Sequence, residues 1–330
     1  MLILTKEDIE AVFSMEDAIE AVKEAFIAHS EGSVKVPLRI NIRSDKHNGN
    51  MLFMPAYCEQ KDAASLKIVS VYPDNKEKNL PSTPAQVLLI DPSTGIVLSI
   101  LDGTYITALR TGAASGAAFS VLAKSECKMG ALIGTGTQAA MQLEAMITSK
   151  KTKIVKVYSR NKERLNIFVE NMKTKFKSKD VEITASDSAD AAVEDADILI
   201  TATNSDKPLF SARSCKPGLT ISAVGSFTKQ MQELDSTVLK KASKIYYDDK
   251  EAMLEEAGEI IKALENNDID EKKLSGSLGE ALAGKIRLRE NDEEIIVFKS
   301  VGLGTQDLIT AKKVYDNAIS KKIGKHIDIG

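Results

Sequence analysis

Residues 129–139, MGALIGTGTQA, have the composition of a turn that binds phosphate. Met129–Ile133 is a short apolar run typical of a buried parallel strand, and the turn is followed by a helical pattern of apolar residues at 140, 143 and 145–147. In the spacing G-x-G-x-x-A, the first glycine permits a tight turn, the second lets a pyrophosphate approach the backbone, and the alanine lets the helix pack closely on the strand. The N–H groups of the helix N-terminus then face the phosphates. A glycine-rich turn without nucleotide would have the same spacing, but the flanking strand and helix favour a dinucleotide site formed by Gly134, Thr135, Gly136, Thr137 and Gln138.

The residues after the next strand bear on which dinucleotide binds. Ile154–Tyr158 reads as that strand, and it ends about 24 residues past the first glycine of the turn. A site that prefers NAD usually has Asp or Glu at this point, bound to the ribose 2′-hydroxyl. Here the sequence is Ser159-Arg160-Asn161-Lys162, with no acid and with two cations suited to a 2′-phosphate. The sequence therefore favours NADP(H) and leaves NAD(H) possible; alternatively, the two cations are only the solvated start of a helix.

Three basic residues, Arg39, Lys67 and Arg110, lie in or beside apolar segments. An unpaired charge is costly in such surroundings, so each needs a partner of opposite charge. One such residue alone would more often belong to a structural ion pair. Because no matching acids accompany these three in the neighbouring sequence, we predict that together they bind an anion.

The composition argues against several classes of protein. A net charge of -3 over 330 residues provides no basic field for nucleic acid or a membrane surface. The cysteines and histidines are scattered and contain no C-x-x-C pair, so neither a disulfide framework nor a metal site is predicted (Cys58, Cys127, Cys215, His29, His47 and His326). The N-terminus lacks the basic and apolar regions of a signal peptide, and no uncharged stretch is long enough to span a bilayer. We therefore expect a cytoplasmic protein.

The elements that would carry these residues follow two patterns. Residues 5–30 have a helical pattern with possible capping boxes at Thr5 and Ser14, and strands are predicted at 36–42, 50–55 and 66–72, with a hairpin of 86–91 and 96–101. An Ala- and Gly-rich helix over 107–124 follows. From residue 128, strands and helices alternate, with strands at 129–133, 154–158, 181–185, 196–202, 219–224, 244–247 and 295–298, and a last helix over about 305–320. Alternation of this kind predicts a parallel, doubly wound sheet.

Ligands of such sheets lie beyond the carboxyl ends of the strands. Besides the glycine turn, that edge would present the remaining predicted cofactor-binding residues of this part of the chain, namely Ser159, Arg160, Ala202, Thr203, Asn204, Val224 and Gly225. We predict an α/β protein with two domains. Residues 1–118, joined by 304–330, would form a strand-rich α+β domain for substrate binding and dimerisation, and residues 119–303 a Rossmann-type dinucleotide-binding domain.

Several stretches together resemble the ornithine cyclodeaminase/mu-crystallin family. They are Val36-Pro37-Leu38-Arg39, residues 67–73 (KIVSVYP), 80–83 (LPST) and 102–111 (DGTYITALRT), the glycine turn, and 299–302 (KSVG) with Gln306-Asp307. The resemblance covers nearly the whole chain. This family includes ornithine cyclodeaminases, archaeal-type alanine dehydrogenases, reductases of cyclic imino acids and a crystallin that binds NADPH.

The resemblance implies roles for particular residues. Arg39 and Arg110 would hold the carboxylate of a small amino or imino acid, for which a guanidinium fork is well suited. Lys67 would lie near that carboxylate and the reacting nitrogen, as the proton donor if burial and neighbouring cations lower its pKa. Thr83 and Thr111 would contact nicotinamide or phosphate groups, and Val301 of the KSVG stretch completes the predicted cofactor-binding set. The resemblance also implies a homodimer formed through the strand-rich unit.

One departure from the family pattern bears on the reaction. In the cyclodeaminases an Asp, thought to handle the amine proton, precedes a Glu-Leu pair after the fifth strand of the dinucleotide domain. Counting back from Glu233-Leu234, the corresponding residue here is Phe227, which cannot transfer a proton. Asp235 is the nearest aspartate, but it begins a helical pattern as a cap.

The departure disfavours cyclisation of ornithine and leaves simple hydride transfer intact. We therefore predict an NAD(P)H-dependent reductase that converts Δ1-pyrroline-2-carboxylate or Δ1-piperideine-2-carboxylate to proline or pipecolate. The alternatives are ornithine cyclodeaminase, alanine dehydrogenase, and a crystallin-like NADPH-binding protein without relevant turnover.

Overall fold

The computed structural model describes residues 1–328, except for the side chain of Lys76, and the chain divides into two compact units. The first unit comprises Met1–Arg110 and the chain from Leu303 onwards, and the second comprises Thr111–Gly302. The sequence predicts divisions after residues 118 and 303. The first boundary between the compact units lies after Arg110, and both this boundary and residue 118 fall within one continuous helix, Gly103–Leu122.

The described residues form sixteen strands and eleven α-helices. The strands are β1 (Leu2–Leu4), β2 (Val34–Lys35), β3 (Ile40–Ser44), β4 (Gly49–Cys58), β5 (Ala63–Val71), β6 (Ala85–Ile90), β7 (Val97–Asp102), β8 (Met129–Ile133), β9 (Ile154–Tyr158), β10 (Glu182–Ala185), β11 (Ile198–Thr201), β12 (Thr220–Ala223), β13 (Lys244–Tyr247), β14 (Leu274–Ser277), β15 (Ile296–Lys299) and β16 (Lys325–His326). The helices are α1 (Lys6–Val12), α2 (Met15–Ser30), α3 (Gly103–Leu122), α4 (Ala139–Lys150), α5 (Lys162–Lys175), α6 (Ala189–Val193), α7 (Ser236–Lys241), α8 (Lys250–Glu256), α9 (Gly258–Glu265), α10 (Leu278–Leu282) and α11 (Gly304–Lys321).

The first unit is built on a mixed sheet in the order β16-β1-β7-β6-β5-β4-β2, with β3 also paired to β4. Its pairs are antiparallel, except that β1 runs parallel to β7. Helix α11 packs on β4, β5 and β6, and α2 packs on α11. Alternation along β5 directs Ala63, Ser65 and Lys67 to the buried face, so the sheet carries a cation into the layer beneath α11.

The predicted strand over 36–42 is wrong at its beginning. Residues 36–39 leave the ladder between β2 and β3, both of which pair with β4. Pro37 has no N–H to donate to a neighbouring strand, which explains the interruption. Arg39 therefore lies in an irregular segment and not within a strand.

Both predicted capping boxes are confirmed at the N-termini of α1 and α2. The side chains of Thr5 and Ser14 accept from the backbone N–H groups of Asp8 and Asp17, and those carboxylates accept in return from the N–H groups of the caps. The second box divides the predicted helical stretch into two helices.

The second unit contains a sheet of eight strands in the order β10-β9-β8-β11-β12-β15-β13-β14, and every pair in it is parallel. Successive residues of its strands point to opposite faces, and both faces are covered. On β8, for example, Leu132 belongs to one apolar core, while Ala131 and Ile133 belong to the other. The order reverses between β8 and β11, where a doubly wound sheet opens a crevice at its carboxyl edge. The predicted α/β class and parallel sheet are confirmed.

Among the helices of the described chain, none is long and apolar enough to cross a membrane.

Candidate functional site

A buried ionic cluster lies inside the first unit. Lys67 of β5, Arg110 of α3 and Asp307 of α11 are 1%, 6% and 0% exposed. The Lys67 Nζ lies 2.5 Å from Asp307 Oδ2, and Arg110 Nε donates to Asp307 Oδ1 at 3.2 Å. Arg110 Nη1 also donates to Gln306 Oε1 at 3.0 Å. One carboxylate thus holds an ammonium and a guanidinium side by side.

The sequence near the three cations contains no matching acid, but the fold supplies one from a distant part of the chain. Asp307 pairs with two of them, from a position 197 residues beyond Arg110 in the chain. Search of the neighbouring sequence could not find it. The signal that could have done so was a polar Gln306-Asp307 pair in the first turn of a helix whose next two residues, Leu308 and Ile309, are apolar and buried.

The cluster retains an excess of positive charge. Two cations share one carboxylate, and Arg39 is close enough to act on Lys67 electrostatically. Burial lowers the pKa of Lys67 from 10.5 to about 8; Asp307 opposes this shift, whereas Arg110 and Arg39 reinforce it. The cluster therefore combines a lysine that releases its proton readily with the charge needed to attract a carboxylate.

The two threonines assigned by resemblance lie in different units. Thr83 is half-buried in the bend before β6. Thr111 is half-buried in α3, directly after Arg110, and is the first residue of the second unit.

The glycine turn joins β8 to α4 in the predicted way. Gly134 has a φ of +117°, and a Cβ there would lie 2.4 Å from the Ala202 carbonyl oxygen. Gly136 is exposed, and a Cβ there would meet no atom within 4 Å, so open space adjoins this backbone. Gln138 precedes α4 without making a side-chain cap, which leaves the N–H groups of the first turn to another acceptor. These features fit a dinucleotide pyrophosphate.

Thr135 is half-buried and Thr137 is exposed in the same turn. At the end of the adjacent strand β9, Ser159 is half-buried and Arg160 is exposed. The following residue, Asn161, caps α5 by accepting from the Arg164 N–H at 2.8 Å.

The loops after β11 and β12 are joined by a buried carboxylate. Glu233 accepts from the backbone N and Oγ1 of Thr203 at 2.7 and 2.8 Å, from Thr201 Oγ1 at 2.8 Å and from the Gly225 N at 2.8 Å. Burial raises the pKa of Glu233, and Lys299 opposes that shift. Ala202 and Val224 are half-buried beside these contacts, and Asn204 is exposed.

A second buried carboxylate shapes the segment after β15. Asp248 Oδ2 accepts from Ser300 Oγ and from the N–H groups of Val301 and Gly302 at 2.7–2.8 Å. Sequence inspection assigned no role to Glu233 or Asp248, because each acts on backbone that is brought to it by the fold.

Comparison with known proteins identifies the family of this chain. The sequence model of the ornithine cyclodeaminase/mu-crystallin family matches residues 1–322. The chain belongs to the ornithine cyclodeaminase/mu-crystallin family. The resemblance inferred from the sequence motifs is thus confirmed.

Among solved structures, the Δ1-pyrroline-2-carboxylate reductase of Thermococcus litoralis, in complex with NADH and L-proline, is 41% identical with a TM-score of 0.94, covering 99% of this chain and 100% of that one. An archaeal alanine dehydrogenase dimer with bound NAD is 37% identical with a TM-score of 0.91, covering 100% and 99%. The Δ1-pyrroline-2-carboxylate reductase of Bacillus cereus is 35% identical over 328 residues, covering 99% of this chain and all of that protein.

In this chain, the segment that carries Phe227 is held by a buried lysine. The Lys299 ammonium, fully buried, donates to the Ser226 carbonyl oxygen at 2.7 Å and pairs with Glu259 at 2.9 Å. The side chain of Phe227 itself is 39% exposed. Asp235 caps α7 by accepting from the Thr237 N–H, as predicted, so the aspartate nearest to Phe227 in sequence has a structural role.

Proposed function

We propose that this protein is an NAD(P)H-dependent reductase of a small imino acid, with Δ1-pyrroline-2-carboxylate or Δ1-piperideine-2-carboxylate as substrate and proline or pipecolate as product. The observation that carries the proposal is the buried Lys67 ammonium held beside the Arg110 guanidinium. The likeness to a reductase solved with NADH and L-proline, over essentially the whole of both chains, supports the same class of reaction.

The substrate carboxylate is held by Arg110 and Arg39. A guanidinium binds a carboxylate through two parallel N–H···O bonds, which fixes orientation as well as affinity. Asp307 neutralises only one of the two charges of Lys67 and Arg110, so this cluster would still attract an anion after its internal pairs have formed.

Lys67 supplies the proton. With a pKa of about 8 it is mostly protonated at neutral pH, yet it is a stronger acid than an ordinary lysine. Its N–H bond breaks as the proton goes to the imine nitrogen, while the former C=N carbon accepts a hydride. The product is a secondary amine, and solvent reprotonates Lys67.

Reduced nicotinamide, when bound, supplies the hydride. The second unit would hold the dinucleotide, with its pyrophosphate at the exposed backbone of Gly136 and at the first turn of α4. We infer a preference for NADP(H), because the segment Ser159–Lys162 after β9 contains two cations, Arg160 and Lys162, and no acid. The remaining proposed cofactor contacts of this unit are Thr111, Gly134, Thr135, Thr137, Gln138, Ala202, Thr203, Asn204, Val224, Gly225 and Val301, and Thr83 of the first unit remains a contact implied by the family resemblance.

The first unit would also mediate dimerisation. Leu38, Ile40 and Ile42 are 57%, 59% and 49% exposed, an unusual cluster of apolar side chains on and beside the short strand β3. A related archaeal alanine dehydrogenase is described as a dimer. Sedimentation analysis of the wild-type protein tests this proposal, and a monomer at micromolar concentration would refute it.

Alanine dehydrogenase is the second candidate, favoured by the 37% identity to the archaeal enzyme. Both reactions orient a carboxylate beside a carbon that accepts a hydride, and they differ in the size of the substrate. Ornithine cyclodeamination is less well supported, because Phe227 occupies the position of the proton-handling Asp. A binding protein without turnover would not need the lowered pKa of Lys67.

The decisive experiment follows the absorbance of reduced nicotinamide with purified protein. Pyrroline-2-carboxylate, piperideine-2-carboxylate, and pyruvate with ammonia are each supplied with NADPH and with NADH. Oxidation with a cyclic imine is the expected result, and oxidation only with pyruvate and ammonia would select alanine dehydrogenase. Ornithine with catalytic NAD is assayed in parallel for ammonia, whose release would overturn the proposal. If no substrate reacts while NADPH binds tightly, the result would favour a crystallin-like NADPH-binding protein without turnover.

A further inference from the structure

We propose that Glu233 is a positioning residue for the dinucleotide, because its buried carboxylate ties together the loops that follow β11 and β12. The proposal rests on the proposed function, since it takes NADH or NADPH to be the ligand of this sheet edge. Glu233 would not touch the ligand. Its side chain is fully buried, and it would act through Thr203 and Gly225.

All of the bonds that Glu233 makes here are accepted from donors. Its Oε1 accepts from the N and Oγ1 of Thr203, and its Oε2 accepts from Thr201 Oγ1 and the Gly225 N. An ionised carboxylate satisfies all four, since it offers acceptors only. In Glu233→Gln, the amide NH2 group would face two hydrogen-bond donors. The substitution would therefore break the hydrogen bonds that join the two loops without opening a cavity.

The loops that Glu233 joins are closely packed and leave no room for additional side-chain atoms. A Cβ on Gly225 would lie 2.3 Å from Glu233 Oε1 and 2.2 Å from the Thr203 carbonyl oxygen. A Cβ on Gly134 would lie 2.4 Å from the Ala202 carbonyl oxygen, so the glycine turn itself rests on the loop that Glu233 holds. Displacement of Thr203 would therefore disturb the turn that is proposed to bind the pyrophosphate.

The hydroxyl of Thr203 is committed to the same network. It donates its hydrogen to Glu233 at 2.8 Å and accepts from the Ser205 N–H at 3.3 Å. What Thr203 offers a ligand is consequently its backbone, whose direction the Glu233 carboxylate sets.

The same sheet contains a matched control at its opposite edge. Asp197 is also a buried carboxylate, and its Oδ2 accepts from the backbone N–H groups of Lys128 and Met129 at 2.8 and 3.0 Å. These groups lie where β8 begins, at the amino end of the strands. Asp197 thus organises backbone as Glu233 does, but away from the edge where ligands bind.

The experiment compares Glu233→Gln with Asp197→Asn in the full-length protein. NADH and NADPH binding is measured by titration of nicotinamide fluorescence, which no tryptophan disturbs because the chain has none. Melting temperatures are measured for both variants. We expect Glu233→Gln to raise the Kd for dinucleotide about tenfold or more, the size of effect that loss of charge-assisted hydrogen bonds produces. Asp197→Asn should lower the melting temperature and leave that Kd unchanged.

Steady-state kinetics supply a second readout. Glu233→Gln should raise the KM for dinucleotide and leave the KM for imine unchanged, a split that general destabilisation does not produce. If Glu233→Gln does not fold, Thr201→Val tests the positioning role in its place. It removes the hydroxyl that donates to Glu233, at a fully buried position that cannot contact a ligand. We expect a Kd increase of about threefold for it, equivalent to one weakened hydrogen bond.

A Kd for dinucleotide that is unchanged in Glu233→Gln, or in Thr201→Val should it be needed, would overturn the positioning role. An equal rise in Asp197→Asn would also overturn it, since any loss of a buried carboxylate would then weaken binding. If the wild-type protein bound neither nucleotide, the result would refute the proposed function itself. The positioning role of Glu233 would then be refuted as well, because it assumes a bound dinucleotide.

Discussion

Replacement of Asp307 by asparagine should move the pH dependence of imine reduction to lower pH. The carboxylate lies 2.5 Å from the Lys67 ammonium and is the partner that raises the pKa of that group. Asparagine keeps the shape of the side chain and removes its charge. Lys67 would then lie in a buried site with Arg110 and Arg39 as charged neighbours, all of which favour its neutral form.

The magnitude follows from the proximity of the pair. An opposite charge at close range changes a pKa by about 1–3 units, so the pKa of Lys67 should fall from about 8 to about 5–7. Lysine donates a proton only below its pKa, and reduction is therefore lost as the pH rises through that value. A fall of about two units would lower the protonated fraction at pH 8 from about one half to about one hundredth, a loss of about 50-fold that is largely recovered near pH 5.

The assay is kcat/KM for pyrroline-2-carboxylate at saturating reduced dinucleotide, from about pH 5 to pH 10. Titration of the substrate itself is common to both proteins and cancels in their ratio. Asp316→Asn is the control on the same helix, because Asp316 pairs with Lys312 at an exposed position. A profile for Asp307→Asn that superimposes on the wild type, or a uniform loss at every pH, would refute the assignment of Lys67 as proton donor.

Three further outcomes are expected. Arg110→Ala should raise the KM for the imino acid by about 10–100-fold because a charge-assisted carboxylate clamp is lost, while the Kd for NADPH measured by fluorescence stays unchanged; unaltered substrate kinetics would remove Arg110 from the clamp. Arg160→Asp should raise the KM for NADPH relative to NADH, with Arg164→Asp in the first turn of α5 as control, and a wild-type preference for NADH would contradict the proposed role of Arg160. Phe227→Asp should release ammonia from ornithine where the wild type releases none, and failure to do so would show that a proton acceptor at this position is not sufficient.

The sequence predicted those features whose cause is local. The strand over residues 129–133 and the helix after it have the predicted positions, because the apolar run and the glycine spacing act within about ten residues. Thr5 and Ser14 were recognisable as caps because their partners lie three residues away. Pro37 could have warned against a continuous strand, since it cannot donate to a ladder.

The features that escaped prediction depend on the fold as a whole. Asp307 meets Arg110 across 197 residues of sequence, and Glu233 meets Thr201 across 32. Neither acid has its hydrogen-bond partners among the residues that adjoin it in sequence. The three-residue strand β1 was missed for the same reason, because its parallel partner β7 lies far along the chain. Polar residues that stabilise a site through long-range contacts leave little trace in spacing or periodicity.

The division of the chain has a consequence for biosynthesis. The second unit is one uninterrupted stretch, Thr111–Gly302, whereas the first combines the beginning of the chain with α11 and β16. A ribosome therefore releases everything needed for the parallel sheet before it releases Asp307. Until then the nascent first unit holds Lys67 and Arg110 without the carboxylate that pairs with both, and its sheet lacks the helix that covers β5. Completion of the anion site therefore waits for the synthesis of α11, and a chain that ended before α11 would expose an apolar sheet face for chaperones and proteases to recognise.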